Sequence, residues 1–214
     1  YEIGKIYLKR EDGLANEPKI VSMGAYGAGV SFFAVKGWVE ALLRALNTPK
    51  ARFVAEHDNA SYHPGRCAKV YVGEEYIGVF GQIHPEVAKN YGVDAELYAA
   101  ELSFDALCSV KGGTPVYKPL PKFPSVTRDI AVVCSSDITV GELTDCILAS
   151  GGQYLKDCTL FDVYTGHHIA EGMKSVAFSL TMRADDQTLT DDHADETVRN
   201  VLSALREKYG AVIR

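Results

Sequence analysis

The residue types best suited to chemistry lie between Leu155 and Met182, in the runs LKDCTLFDVYTG and MKSVAFSLTM. Read as two strands, their side chains alternate between faces. Alternation puts Asp162 and Tyr164 on one face of the first run and Phe161 and Val163 on the other. In the second run Ser175, Ala177, Ser179 and Thr181 share a face opposite Val176, Phe178, Leu180 and Met182. Paired as a hairpin, the two runs expose one apolar surface that belongs on a core. The other surface is small and polar, with a single ring standing on it. Such a face suits unpaired nucleic-acid bases, because the ring offers a stacking surface while hydroxyls and a carboxylate read base edges. An ordinary solvated sheet face has the same pattern, so the surrounding elements must decide.

Other candidates are weaker. His63, Cys67 and His84 combine two imidazoles and a thiol, but their spacing matches no established zinc pattern and a fourth ligand is not evident. The two His-Pro pairs read instead as turns, since the residue before proline is held extended. Gly24, Gly27 and Gly29 lead into a helix whose start could attract an anion. The run has neither the dinucleotide-binding spacing with its later acid nor the Gly-Lys-Ser/Thr of a P-loop, and reads as a plain loop.

The elements around the hairpin form a clear series. A strand is expected over RDIAVVC, from Arg128 to Cys134. Thr139 then opens a helix with Glu142 three places on, a capping box. Leu143, Ile147 and Leu148 supply that helix's buried face, and Gly151-Gly152 ends it. After the hairpin a long helix is expected from Thr190 to Tyr209. Asp191 and Asp192 fall in its first turn, Arg206 and Lys208 in its last and Gly210 just beyond, matching the helix dipole and C-cap rules. Val198, Val201, Leu202 and Leu205 form its inner stripe, and AVIR makes a closing edge strand. The order strand-helix-strand-strand-helix-strand predicts a ferredoxin-like four-stranded antiparallel sheet with both helices on one side. The helices then cover the Phe161/Phe178 face and leave the Asp162/Tyr164/Ser175 face open.

Upstream, strands are expected over Tyr1 to Leu8, Lys19 to Met23 and LYAAELSF, and a hairpin over AKVYVG and YIGVFGQI. Ser31 caps a helix carrying Phe32, Val35, Trp38, Val39, Leu42, Leu43 and Leu46 at three- and four-residue steps. A short helix follows from Pro85 to Tyr91. Between the two parts, KGGTPVYKPLPKFP holds four of the chain's eight prolines, which places a domain boundary near residue 118.

The totals narrow the class. A chain of 214 residues suits one or two domains, and no apolar run approaches a membrane span. The chain starts inside what reads as a strand, so a fragment of a longer polypeptide is expected. Five scattered cysteines without CxxC spacing favour a reducing cytosol. The net charge of −6 argues against indiscriminate nucleic-acid binding. Residues 118–214 hold 10 Lys/Arg against 14 Asp/Glu, so a nucleic-acid partner has to be recognised by local charge.

Taken together, FPSVTRDIAVVC, LFDVYTG, EGMKSVAFSL and TLTDDHADETVRNVLSALREKYGAVIR resemble the ferredoxin-fold anticodon-binding domain that ends the β subunit of bacterial phenylalanyl-tRNA synthetases. YEIGKIY, SFFAVKGWVEALL, YHPGRCAKV and GVFGQIHPEV resemble the module before it, and the resemblance covers nearly the whole chain. It implies an α+β protein: a class II synthetase-like antiparallel sheet module over residues 1–117, without catalysis and supporting the subunit interface, then an anticodon-binding domain over 118–214. It also implies a cytoplasmic α2β2 ligase that charges phenylalanine tRNA using ATP and magnesium. Its active site is in the α subunit, so no catalytic residue, metal ligand or cofactor is expected in this stretch, and neither a membrane nor DNA as partner. Carried onto matching positions, the resemblance makes Tyr164 the stacking ring and Asp162 an acceptor for base-edge donors. Ser175 becomes a hydrogen-bonding partner of a neighbouring base and Arg214 a basic contact. Departures are Arg66-Cys67, where a polar pair is usual, and His167 and His168 in the hairpin loop. Two other classes fit the ferredoxin-like order. One is an amino-acid-binding regulatory domain; the other, an acylphosphatase-type hydrolase, needs an Arg in a glycine-rich loop that Cys134-Ser135-Ser136-Asp137 does not offer.

Overall fold

The computed structural model describes residues 1–117 and 119–214. The chain separates into two compact units, one ending at Tyr117 and the other running on to Arg214. The boundary expected near residue 118 thus falls on the residue outside the described set.

The first unit comprises β1 (Glu2–Lys5), β2 (Lys19–Tyr26), α1 (Phe32–Ala45), β3 (Ala51–Ala55), β4 (Tyr62–Val72), β5 (Glu75–Ile83), α2 (Pro85–Asn90), β6 (Leu97–Ser103) and α3 (Phe104–Val110). Its strands form one antiparallel sheet in the order β1-β2-β6-β5-β4-β3. Ser31 caps α1, its Oγ accepting the Ala34 N–H at 3.2 Å. Val35, Val39 and Leu43 of α1 and Leu107 of α3 pack with Val70, Ile77, Phe80 and Leu102 of the sheet. Gly81 makes β5 fit against β4: a Cβ there would lie 2.4 Å from the Arg66 carbonyl oxygen.

Three expectations need revision in this unit. Strand β3 and helix α3 were not foreseen, being short elements without a full period of apolar repeat. Trp38 is 46% exposed, so the buried stripe of α1 is narrower than its apolar content suggests. Tyr62-His63-Pro64 lies within β4 rather than in a turn. The pairing register slips between Tyr62 and Cys67, and that irregular stretch does not need the N–H that proline lacks. The second pair behaves differently: His84 caps α2 and Pro85 opens it.

The second unit comprises β7 (Val126–Ser135), α4 (Val140–Ser150), β8 (Leu155–Tyr164), β9 (Met173–Met182), α5 (Asp191–Tyr209) and β10 (Val212–Ile213). The sheet order is β10-β7-β9-β8, all antiparallel, which is the expected ferredoxin-like arrangement. The capping box of α4 is formed: the Glu142 N–H donates to Thr139 Oγ1 at 3.2 Å, and the Thr139 N–H to Glu142 Oε2 at 2.8 Å. These bonds from Thr139 hold the Glu142 carboxyl below its ordinary pKa. At the other end of the unit, α5 closes on Gly210 in the left-handed region (φ 62°), whose N–H donates to the Arg206 carbonyl at 2.9 Å. The core joins Ile130, Val132, Val176, Phe178, Leu180 and Met182 of the sheet to Leu143, Cys146 and Ile147 of α4 and Val201 and Leu205 of α5. Leu148, expected in this core, is 40% exposed; Cys146 takes its place because helical spacing from Leu143 reaches 146 and 147.

The larger correction concerns β8. Leu160 pairs with Phe178 and Asp162 with Ala177, so Phe161 is an extra residue in a bulge. Phe161 is therefore 57% exposed, and Leu160 rather than Phe161 shares the face of Phe178. From Asp162 onward the alternation resumes as expected. Phe178→Ala should destabilise the second unit by about 3–5 kcal/mol, the usual cost of deleting a buried ring. Phe161→Ala should cost less than about 1 kcal/mol. Urea unfolding of the two variants separates a bulged Phe161 from a buried one, for which the two costs would be alike.

Candidate nucleic-acid interface

The register of the second sheet determines which side chains look away from α4 and α5. Val132, Val176 and Val163 are aligned across the strands on the helix-facing side, as are Ile130, Phe178 and Leu160, although Val163 and Leu160 on the edge strand are exposed. The intervening positions form the other face: Thr127, Asp129, Ala131 and Val133 on β7, and Ser175, Ala177, Ser179 and Thr181 on β9. Strand β8 adds Asp157, Thr159, Asp162 and Tyr164. Tyr164 stands directly opposite Ser175, and Asp162 opposite Ala177.

Arg214 joins this group from the far side of the sheet. Its backbone N–H donates to the Ala131 carbonyl at 3.0 Å, which fixes the chain terminus beside β7. Its guanidinium carbon lies 5.3 Å from the centroid of the Tyr164 ring, a cation–π contact. Such a contact is worth about 0.5–1 kcal/mol at an exposed site. Strands β10 and β8 are the two edges of the sheet, three inter-strand steps or roughly 14 Å apart. To meet, both side chains must lean across β7 and β9. The ring is also supported by the hairpin loop, where Gly166 leaves it room: a Cβ at that position would meet the Tyr164 hydroxyl oxygen at 2.0 Å.

One expectation changes at the centre of this face. Ser175 is only 3% exposed and Ala177 8%, although no helix covers them. The face foreseen as open is thus covered over its centre, while Asp162 is exposed and Tyr164 half-buried. The structure brings Tyr164, Ser175 and Arg214 together, with Asp162 beside them. Strand alternation alone could have added Asp129 to this face, because it lies two residues before Ala131. The contributions of Arg214 and Gly166 come from contacts distant in sequence or set by loop shape, which periodicity does not carry. His167 and His168 are both exposed in the loop.

Charge is divided between the two sides of the sheet. Arg128 faces the helices and bonds Asp191 at 2.6 Å and Asp195 at 3.5 Å at the start of α5. On the opposite face Asp129, Asp157 and Asp162 stand with Arg214. Carboxylates there suit the amino groups of base edges better than they suit phosphate.

In the first unit, a hollow of about 510 Å³ is bounded by Ser31, Phe33, Arg66, Glu96 and Tyr98. Its polar groups bond one another: Arg66 donates to Gln82 Oε1 at 2.8 Å and Glu96 Oε1 at 3.1 Å, and the Tyr98 hydroxyl to Glu96 Oε2 at 3.0 Å. The Tyr98 and Arg66 bonds hold the Glu96 carboxyl below its ordinary range. The Arg66 guanidinium is thus held by Gln82 and Glu96 along this wall. His63, Cys67 and His84 are held locally. His63 Nδ1 accepts the Gly65 N–H at 3.0 Å, and His84 Nδ1 accepts the Glu86 N–H at 3.3 Å. Burial pushes the Cys67 thiol up to about 11.

Residues 121–214 match the family described as the ferredoxin-fold anticodon binding domain, and residues 1–104 match the phenylalanyl tRNA synthetase beta chain CLM domain. The fold and the two matches define part of an aminoacyl-tRNA synthetase. Proteins called phenylalanine–tRNA ligase beta subunit are similar throughout. That of Clostridium acetobutylicum is 38% identical over 216 residues, covering 100% of this chain and 27% of the relative. That of Bacillus subtilis is 39% identical over 226 residues, covering 100% and 28%. The chain belongs to the family of phenylalanine–tRNA ligase beta subunits, and spans about a quarter of the length of these curated relatives.

All five cysteines are thiols, and Cys108 is exposed whereas Cys67, Cys134 and Cys146 are buried. Burial raises the Cys67 and Cys134 thiols above their ordinary pKa, so little reactive thiolate forms at neutral pH. Limited alkylation with iodoacetamide at pH 7.5 should label Cys108 first by peptide mass mapping. The three buried thiols should react only after unfolding.

Proposed function

We propose that residues 118–214 read the anticodon of phenylalanine tRNA. Residues 1–117 then dock the α subunit of an α2β2 ligase, in which α joins phenylalanine to the tRNA with ATP and magnesium. The observation that carries the anticodon reading is the grouping of Tyr164, Asp162, Ser175 and Arg214 on the sheet face that no helix covers. Tyr164 supplies a stacking surface, Asp162 accepts from exocyclic amines, Ser175 bonds a neighbouring base and Arg214 contributes the positive charge. The docking role is supported by large apolar side chains left in solvent in the first unit, among them Phe33 at 77% and Tyr26 at 73% exposed. Cysteines that are thiols rather than disulfides agree with a cytoplasmic setting. No helix among the described residues is long and apolar enough to cross a membrane.

Titration with an anticodon stem-loop of phenylalanine tRNA tests this reading. Tyr164→Ala should weaken binding by the ~1–3 kcal/mol of one stacked base, and Tyr164→Phe should keep most of it. Because the face holds three aspartates against Arg214, affinity should fall only shallowly as salt rises, and matched and scrambled anticodons should stay distinguished at both salt levels. Equal binding of scrambled anticodons would overturn the proposal. Mixing with the α subunit should yield a stable complex in sedimentation velocity. The chain alone should self-associate in a dilution-dependent way through the apolar side chains that α would cover.

A further inference from the structure

We propose that Arg214 is an exchangeable occupant of the Tyr164 ring. In the free chain its guanidinium lies where a base would stack, and an unpaired base displaces it. The inference rests on the anticodon reading and adds to it a closed resting state, with a rule for what opens it.

The two members of the pair are held very differently. Tyr164 ends a ten-residue strand, pairs with Ser175 in the sheet and rests against Gly166. Arg214 follows a strand of two residues, Val212 and Ile213, which are 52% and 64% exposed, and its backbone is tied by one N–H bond to Ala131. The ring is therefore the fixed partner and the guanidinium the movable one. Moving it requires a few side-chain torsions and leaves the core untouched.

Closure also accounts for the cover over Ser175. Ser175 is only 3% exposed in the free chain, so its hydroxyl has little access to a base edge while Arg214 and Tyr164 lie together on the same face. Exchange uncovers that hydroxyl in the same movement that frees the ring. Arg214 has a reason to stay when no RNA is bound, because it is the positive charge on a face with Asp129, Asp157 and Asp162. It has a reason to leave when a strand arrives, because a phosphate offers a charge-assisted hydrogen bond in place of the ring. Only a nucleotide whose base is unstacked can take the vacated surface. Paired RNA brings phosphates without a free base face.

The test is nuclear Overhauser spectroscopy on the 214-residue chain with labelled arginine and tyrosine. A cross-peak between the Arg214 δ-methylene and the Tyr164 ring protons is expected in the free chain and absent in Tyr164→Leu. Saturation with the anticodon stem-loop should abolish it, whereas a blunt RNA duplex at the same phosphate concentration should leave it intact. Absence of the cross-peak in the free chain would overturn the proposal. So would its loss with duplex, which would reduce the effect to charge. A cross-peak that persists while Asp162 and Ser175 resonances shift with stem-loop would overturn exchange and leave the anticodon reading standing. Spectra unchanged by the stem-loop would overturn both.

Discussion

Burial on one side of the second sheet is the constraint from which its other properties follow. Strand β9 sends Val176, Phe178, Leu180 and Met182 into the core, and β7 sends Ile130, Val132 and Cys134 beside them. Two helices are needed to cover that area, and the two βαβ-type crossovers bring both to the same side. The remaining face has no layer of its own. Its central positions on β7 and β9 are small or short: Ala131, Ser175, Ala177, Ser179. The low profile of this surface leaves room for the contact between the Tyr164 ring and the Arg214 guanidinium.

The two units use polar side chains in opposite ways. In the first, Arg66, Gln82, Glu96 and Tyr98 satisfy one another, and the buried Glu56 carboxylate is bonded by Lys69 and by the Asp58 N–H. Arrangements of this kind fix geometry and leave little for a ligand. In the second, Asp162 projects into solvent from a strand whose neighbours are small. A group that reads another molecule has to keep hydrogen-bonding capacity for that molecule, and this difference agrees with scaffold and reader roles for the two units.

Much of this was legible in the residues. The capping box at Thr139 and Glu142, the left-handed stop at Gly210 and the stripe of Val201 and Leu205 are local rules, and local rules survive folding. The parity of Asp162, Tyr164 and Ser175 was legible too, because the bulge in β8 comes just before Asp162 and leaves the later alternation intact. The same bulge made the Phe161 assignment wrong: an inserted residue shifts every side chain before it relative to those after it, and no residue type announces it. Leu148 was misplaced by a single step along a helix. The burial of Ser175 was invisible for another reason, since alternation tells which face a side chain lies on and not how exposed it is there.

Strand β8 has a further property. It lies at the margin of its sheet among the described residues, the position at which copies of a domain can add to one another and polymerise. Two interruptions, at Lys156 and at Phe161, break the regular repeat that a second copy would need to match. Lys156 adds a charge, bonded to Asp185 at 3.1 Å, where an approaching chain would have to bury it. The irregularities that obscure the side-chain pattern of this strand therefore guard its margin against fibril-like growth.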